Sequence, residues 1–345
     1  MDDLERQLLS RTWFPLARVA DVERGPVAAA ILGTELVVYP GPDGPTVAQG
    51  RCPHRGMALW RGRMRDSALE CPYHGWLFAP GSGACTEVPS LGPGVALPHA
   101  RLATFPARVA YGHVWSALHD PFRPMPELLE YDESTWQVAF GEPQEVACGM
   151  RQITENFRDM AHFPFVHTGT MGPQVRRQVD RYEVERVTDG LQWTLATDLG
   201  GTALNGNAAL GTGQTLTYRL ALPMTTYIRT RFPDGGRRLV AQFATPITAD
   251  GARVRLFWLV GIDDIVVREH GVDLDEMWRY ERDIFAEDIP IVENQWPAEA
   301  PLDPHAQVHT SADRFSLTYR AAYRELLEEF ARDGVAVAAA AGGNP

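Results

Sequence analysis

Cys52-Pro53-His54 and, sixteen residues later, Cys71-Pro72-Tyr73-His74 are the stretches that decide how the first part of this 345-residue sequence folds. Each cluster holds one cysteine and one histidine, and a glycine follows each of them, Gly56 and Gly75. Thiolates and imidazoles are typical ligands of transition metals. Two matched clusters of this kind predict a metal site held between two loops.

The number and type of these ligands point to one kind of site. Two cysteines and two histidines are typical of a Rieske [2Fe–2S] cluster, in which two thiolates hold one iron and two imidazoles hold the other. A Cys2His2 zinc site is the alternative, but zinc fingers usually have a cysteine pair followed by a histidine pair. The order in this sequence therefore favours the iron–sulfur cluster over zinc.

The sequence around the two clusters predicts short strands. Residues 27–38 are rich in apolar and β-branched side chains, and a turn-forming segment with three prolines and two glycines follows at 39–45. Short strands separated by such turns predict an all-β domain. The segment 120–126 contains three prolines, so we place the domain boundary there and predict two domains, 1–120 and 121–345.

The second domain combines strand-like and helical patterns. Strand-like segments occur between about 179 and 260, and helical patterns cover 150–163, 272–289 and 312–332. Pro164 is expected to end the first of these helices. The complete chain is therefore predicted to have an α+β fold.

Two histidines of the second domain indicate a second metal site. Asn156, Asp159 and His162 are three positions apart and would share one face of the predicted helix. His167 lies five positions after His162, about 140° further around a straight helix, so Pro164 would have to break the helix before both imidazoles could bind one metal. Two histidines and one carboxylate on one side of an iron form the facial triad of non-haem Fe(II) oxygenases.

The spacing does not identify the carboxylate of this triad. Four acidic residues of the late helical segment are candidates, namely Asp283, Glu287, Asp288 and Glu293. Acidic residues of a helix usually form its solvated face, so residue type alone leaves the choice open. Two nearby histidines often have only a structural role. The hypothesis of a second iron site therefore depends on the presence of the cluster motif in the same chain.

Composition excludes several other functions. The sequence has 32 basic and 44 acidic residues, a net charge of −12, which argues against nucleic-acid binding and against an anionic membrane surface. All basic residues are arginine, so a Schiff-base lysine and a P-loop lysine are excluded. There are only four cysteines, no signal-like start and no membrane-length apolar run. We therefore expect a cytoplasmic protein.

The motifs resemble those of a known family. C-x-H-x16-C-x2-H, with Pro-Tyr-His-Gly-Trp at 72–76, is similar to the cluster signature of Rieske non-haem iron oxygenases. Asp159-x2-His162-x4-His167, preceded by Asn156, is similar to the iron motif of their α subunits. The segment 285–297 looks most like bacterial methylxanthine N-demethylases, while saxitoxin-pathway oxygenases and vanillate and dicamba demethylases are more distantly similar.

This resemblance implies a fold and two cofactors. It implies an N-terminal Rieske domain and a helix-grip (START-like) catalytic domain with an antiparallel sheet, assembled as a homotrimer. It assigns the [2Fe–2S] cluster to Cys52, His54, Cys71 and His74, and a mononuclear Fe(II) to His162, His167 and Asp288, with Glu287 as the second choice for the carboxylate. Asp159 would be a hydrogen-bonded bridge for electrons between His74 of one subunit and His162 of the next, with Asn156 as a polar neighbour.

The resemblance also implies a reaction. No G-x-G-x-x-G follows a predicted strand, so electrons from NAD(P)H would arrive through a separate reductase, with or without a ferredoxin. With O2 they would hydroxylate a small aromatic, heterocyclic or natural-product substrate, or remove its N- or O-methyl group. A Rieske electron-transfer protein without oxygenase activity is the alternative. Pocket residues are expected on the strands between about 193 and 260, where residues 204–207 are one stretch that could line a cavity, but no spacing shows which residues do.

Overall fold

The computed structural model of the protein describes residues 1–341 except 93, 132–133, 172–176 and 198–212. The chain divides into two compact units, one formed by residues 1–125 with 245–251 and the other by the remainder of the chain. The first unit ends at residue 125, five residues after the predicted boundary at 120. The assignment of 245–251 to the first unit was not indicated by any sequence pattern.

The first unit is built from short antiparallel strands, as the sequence predicts, with two short helices in addition. Its described elements are α1 (Asp3–Ser10), β1 (Phe14–Arg18), α2 (Val19–Val22), β2 (Val27–Ile31), β3 (Thr34–Tyr39), β4 (Thr46–Gln49), β5 (Arg63–Arg65), β6 (Ala68–Glu70), β7 (Leu77–Phe78), β8 (Cys85–Glu87), β9 (Thr104–Phe105), β10 (Ala107–Ala110) and β11 (His113–Ser116). They form three sheets with the orders β1-β11-β10, β2-β3-β4-β9 and β5-β6-β7-β8.

The core of the first unit anchors the two predicted ligand loops. One loop lies between β4 and β5 and the other between β6 and β7. Leu59, Leu69 and Phe78 are fully buried and belong to the same apolar cluster as Cys52 and Cys71. The two thiols are therefore fixed by core packing.

The second unit is an α+β arrangement around one large sheet. Its described elements are β12 (Trp136–Phe140), β13 (Gln144–Val146), α3 (Met150–Asn156), α4 (Phe163–Val166), β14 (Glu185–Val187), β15 (Gly190–Thr197), β16 (Gln214–Ala221), β17 (Thr225–Arg231), β18 (Arg237–Pro246), β19 (Val254–Asp263), α5 (Asp264–His270), α6 (Leu274–Val292) and α7 (Arg314–Ala341). The eight-stranded sheet has the order β12-β19-β18-β17-β16-β15-β14, and β13 also pairs with β19. Helix α6 packs on β12, β19 and α3. None of the described helices is both long and apolar enough to cross a lipid bilayer.

The predicted helix over 150–163 is wrong in its second half. Helix α3 ends at Asn156, and a turn separates it from α4. In this turn Asp159 Oδ1 accepts a hydrogen bond of 2.7 Å from the Ala161 N–H, a local contact that competes with helical pairing. Pro164 does not end a helix but lies in the first turn of α4, where its missing N–H leaves no hydrogen bond unmade.

The turn between β7 and β8 provides a test of the packing of the first unit. Gly83 has φ of +66°, and a Cβ at this position would lie 2.3 Å from Leu102 O. Gly81, in the same turn, has φ of +68°, but its Cβ would meet nothing within 4 Å. Both positions carry the cost of a left-handed backbone for alanine, but only Gly83 also carries a clash with backbone.

We expect Gly83→Ala to destabilise the first unit by about 2 kcal/mol more than Gly81→Ala, because the backbone near Leu102 must shift. Gly81→Ala is the matched control and should cost about 1–2 kcal/mol. Differential scanning calorimetry of the full chain would compare the two variants. Equal Tm values for the two variants would show that the close contact between residue 83 and the Leu102 carbonyl oxygen does not constrain the turn.

Candidate metal centres

The two ligand loops of the first unit share one backbone design. In each loop the cysteine N–H donates to the carbonyl five residues later, and the N–H four residues later donates back to the cysteine carbonyl, with N···O distances of 2.8–3.0 Å for Cys52 and Cys71. The cysteines are 3% and 1% exposed, whereas His54 and His74 are exposed. Two equivalent loops therefore present a buried sulfur pair and an exposed imidazole pair.

The aromatic neighbours of the two histidines hold the imidazole rings in place. The ring centroids of His54 and His74 are 4.7 Å apart. Trp76 stacks on His54 at 4.7 Å with an angle of 8° between the planes, and Tyr73 lies against His74 at 3.8 Å. Desolvation and the neighbouring His74 lower the pKa of His54, which favours the neutral imidazole that binds metals.

Burial has the opposite consequence for the cysteines. Desolvation raises the pKa of the Cys52 thiol to about 11, so without a metal this group stays protonated at neutral pH. A bound cation favours the thiolate and releases the proton. The donor set, two buried thiols beside two surface imidazoles, fits a cluster with two chemically different iron atoms.

In the second unit, three predicted ligands lie together. His162 Nε2 and His167 Nε2 are 3.0 Å apart, and Asp288 Oδ1 lies 3.3 Å from the first and 3.4 Å from the second. Ligands that are bound at about 2.1 Å and at right angles to each other are separated by about 3 Å. This triangle therefore fits one face of a metal's coordination shell, as in a facial triad.

Carboxylates hold both imidazoles through their second nitrogen. Asp159 Oδ2 accepts from His162 Nδ1 at 3.1 Å, and Glu287 Oε2 accepts from His167 Nδ1 at 3.0 Å. Thr170 Oγ1 donates to the same oxygen of Glu287 at 2.8 Å. Such contacts fix the tautomer and the ring orientation, so that Nε2 of each ring is left for the metal.

The structure separates the four acidic candidates for the third ligand. Asp288 lies in the triangle, and Asn156 Nδ2 donates to its Oδ1 at 3.2 Å. Glu287 contacts the far side of His167, a role that the sequence interpretation missed. Adjacent residues of a helix point about 100° apart, so only one of these two consecutive acids can face a metal. The sequence therefore already indicated that Glu287 and Asp288 have different roles. Asp283 pairs with Arg282 at 2.7 Å, and Glu293 accepts from the Ala147 N–H at 2.9 Å.

The two histidines of the triangle differ in pKa. Burial lowers the pKa of His162, but the carboxylates of Asp159 and Asp288 outweigh it and raise this pKa to about 9. Burial also lowers the pKa of His167, and here Asp288 and Glu287 do not compensate it. At neutral pH the metal-free centre therefore contains one imidazolium, His162, which must lose its proton before it can bind a metal.

Metal uptake by the second centre should release about one proton per metal at pH 7.5, because His162 has a pKa of about 9. The apparent affinity for Fe(II) or Co(II) should rise about tenfold per pH unit and level off above about pH 9. Anaerobic calorimetry in buffers with different ionisation enthalpies measures both quantities. In Asp159→Asn the proton release should decrease. An affinity that does not change between pH 7 and 9 would contradict the assigned charge.

A mainly apolar cavity adjoins the triangle. Phe157, Trp258 and Phe285 form one wall. The ring centroid of Trp258 lies 5.7 Å from that of Phe157 and 4.7 Å from that of Phe285. A buried ion pair lies in the same lining, Arg238 Nη1 with Glu281 Oε1 at 2.7 Å. No sequence pattern identified these residues as pocket lining, and residues 204–207 lie outside the described part of the chain.

Comparisons with known proteins agree with this two-part organisation. Residues 12–106 match the Rieske [2Fe-2S] domain, and residues 146–329 match the vanillate O-demethylase oxygenase C-terminal domain. The chain belongs to the Rieske oxygenases. The family resemblance predicted from the two motifs is thus confirmed, and this Rieske oxygenase is an oxidoreductase rather than a bare electron carrier or a zinc module.

Relatives that align over nearly the whole length include two bacterial enzymes. Methylxanthine N3-demethylase NdmB of Pseudomonas putida is 29% identical over 336 residues, which cover 93% of this chain and 90% of the relative. Methylxanthine N1-demethylase NdmA of the same organism is 28% identical over 335 residues, 94% of this chain and 91% of the relative. The structure of NdmA with caffeine superposes with a TM-score of 0.80 at 25% identity, covering 94% and 93% of the two chains. The predicted α+β fold with an antiparallel sheet is confirmed.

Proposed function

We propose that this Rieske oxygenase uses O2 and externally supplied electrons to remove an N- or O-bound methyl group from a small heterocyclic or aromatic substrate, or to hydroxylate its C–H bond. The observation that carries this proposal is the triangle of His162 Nε2, His167 Nε2 and Asp288 Oδ1 beside a mainly apolar cavity. Electron transfer alone would not require such a site. The similarity to two N-demethylases over the full length favours demethylation.

We assign the ligands of both centres on the donor sets described above. Cys52, Cys71, His54 and His74 would hold the [2Fe–2S] cluster, and His162, His167 and Asp288 would hold a mononuclear Fe(II). Fe(II) in a facial triad keeps open positions and supplies the activation of O2 next to the substrate. All other tasks fall to side chains that position these ligands and the substrate.

The supporting side chains keep the ligand atoms aimed at one point. Asp159 and Glu287 fix the two imidazoles, and Asn156 fixes the oxygen of Asp288 through a contact of 3.2 Å. Glu287 is itself held by Thr170. Loss of a carboxylate of this kind usually reduces metal affinity or activity by about 10–100-fold.

The cavity would orient a flat substrate. Its aromatic walls at Phe157, Trp258 and Phe285 offer faces on which a planar ring can pack. Burial raises the pKa of Tyr280, in the same lining, to about 12, so its hydroxyl stays protonated and can donate to a ring carbonyl. The apolar lining excludes water from the bound methyl group.

The overall reaction balances for a methylated nitrogen. One O2, two electrons and two protons convert the N–CH3 group to N–CH2OH and water. The hydroxymethyl group then breaks its C–N bond, leaving N–H and formaldehyde. An O-methyl group would react in the same way, whereas a ring or aliphatic carbon would keep the hydroxyl.

Electron delivery would involve other chains. We infer a homotrimer in which Asp159 connects His74 of one subunit with His162 of the next. This inference is supported by the partial exposure of the Asp159 side chain, 36%, while its carboxylate contacts His162. Electrons from NAD(P)H would reach the cluster through a separate reductase or ferredoxin. We also propose a cytoplasmic location, a reducing compartment in which the thiols of Cys52 and Cys71 are kept from forming disulfides.

A screen of methylated heterocycles and methoxylated aromatic acids tests the function directly. With a reductase and NAD(P)H, one or more substrates should give O2 uptake together with an equal amount of formaldehyde. His162→Ala should keep the cluster, seen by the EPR signal of its reduced form, and lose substrate-dependent formaldehyde by more than about 100-fold. Undiminished formaldehyde release by His162→Ala would overturn the proposal.

Asp159→Asn tests the electron bridge separately. The variant should retain both iron centres and a reducible cluster, but its turnover should fall by about 10–100-fold, because Asn no longer offers a carboxylate to His162. Asp283→Asn is the matched control, since Asp283 lies on the surface of α6 beside Arg282. Normal turnover in Asp159→Asn would exclude the bridge, and loss of the mononuclear iron would reduce its role to positioning His162.

A further inference from the structure

A second cavity lies where β17 leads into β18. Its lining includes four arginines and one acidic residue, namely Arg229, Arg231, Arg237, Arg238 and Glu130, and we call it the arginine cavity. Arg231 and Arg237 are directly opposite each other in the antiparallel pair. Like charges in this position are destabilising, so the cluster requires negative charge close by.

The carboxylates of the described chain only partly supply this charge. Glu130 lies 2.5 Å from Arg229 and 3.6 Å from Arg231, so one acid serves two arginines. The other two arginines have partners of their own, Asp263 at 2.9 Å and Glu281 at 2.7 Å, which are not part of the lining. On the face of the sheet that carries Arg229, Arg231 and Arg237, three guanidinium groups thus meet two carboxylates among the described residues, in a protein whose net charge is −12.

The walls also contain hydrogen-bond donors without an acceptor in the described residues. Trp136 Nε1 and Arg229 Nε are buried and unpaired there, and Trp136 is only 8% exposed. Arg237 donates through Nε to Asp263, which leaves its two Nη groups for another partner. A buried donor without an acceptor is destabilising, so these walls favour a ligand that is rich in acceptors.

The guanidinium group of Arg237 is oriented for such a ligand. It lies over the ring of Trp136, 5.2 Å from the centroid, and a planar guanidinium fork matches the oxygens of a carboxylate or a phosphate with two parallel hydrogen bonds. Thr215 and Thr217 line the same cavity, and their hydroxyl groups can donate as well. We propose that the arginine cavity binds a small oxyanion of the phosphate or carboxylate class.

This oxyanion would be separate from the substrate of the metal centre. On β16, Leu216 and Tyr218 line the cavity at the metal centre, whereas Thr215 and Thr217 line the arginine cavity. Successive residues of a strand point to opposite faces of the sheet. The side chains of Thr230 and Arg238 lie in one cross-strand row with Leu216, so they belong to the face of the metal centre although both residues also border the arginine cavity. The two cavities therefore lie on opposite faces, and the oxyanion is a free anion rather than an acidic group of the substrate.

Titration of the complete, cluster-loaded protein with inorganic phosphate tests the proposal. At constant ionic strength, with chloride as reference, phosphate should raise Tm in a saturable way, and calorimetry should give one site per chain. Asp288→Ala should bind phosphate like the wild type, which separates the arginine cavity from the metal centre. Acetate in place of phosphate distinguishes a carboxylate preference from a phosphate preference. No saturable shift with either anion would overturn the proposal.

Two variants of the lining locate the site. Arg237→Gln should weaken phosphate binding by about tenfold or more, and Trp136→Phe, which keeps the ring and removes the N–H, by several-fold. Arg255→Gln is the control, and this variant should bind phosphate normally. Arg255 lies on the same sheet but pairs with Glu145 at 2.7 Å. Unchanged affinity in both lining variants, or competition between phosphate and a substrate identified by formaldehyde release, would contradict a separate anion site.

Discussion

The two nitrogens of each imidazole in the second unit have opposite tasks, and the geometry of the centre depends on this division. Nδ1 of His162 and of His167 is bound to a carboxylate, so Nε2 of each ring faces the other and Asp288. An imidazole without such a partner rotates about its side-chain bonds and changes tautomer. The pair of hydrogen bonds thus turns two mobile rings into two fixed donors that are 3.0 Å apart.

The same carboxylates also set the charge of the site. Asp159 and Asp288 raise the pKa of His162 to about 9, while His167, which is more deeply buried, has a lowered pKa. The buried Arg158 has no carboxylate partner among the described residues; burial lowers its pKa to about 9, and it donates to the carbonyl oxygen of Arg219 at 2.6 Å. The metal centre therefore lies in an environment where fixed charges and dipoles, rather than water, determine protonation.

Features formed by residues close together in the sequence could be predicted, whereas contacts between distant segments could not. Cys52, His54, Cys71 and His74 lie in two short loops, so their spacing alone indicated the cluster. Asp288 is more than a hundred positions after His167, and only the family resemblance selected it among similar acids. The helix predicted over 150–163 failed because the side chain of Asp159 caps a turn, a contact that periodicity does not encode.

The pocket linings illustrate the same limit. Phe157, Trp258 and Phe285 come from three elements that the sheet and α6 bring together, and no spacing links them. The arginine cavity depends on the register of β17 and β18, which places Arg231 opposite Arg237. A shift by one residue would turn these side chains to the other face. Strand pairing, which sequence patterns do not determine, therefore decides where these charges meet.

Helix α6 carries Asp288 and part of the cavity lining on one side. Glu281, Ile284, Phe285 and Asp288 follow the helical repeat and line the same cavity, while Glu287 faces His167 from the side. Inserting or deleting one residue upstream would rotate both carboxylates by about 100°, away from the two imidazoles. The number of residues in α6 before Asp288 is therefore constrained, whereas single side chains of its earlier turns can change the shape of the cavity without moving either carboxylate.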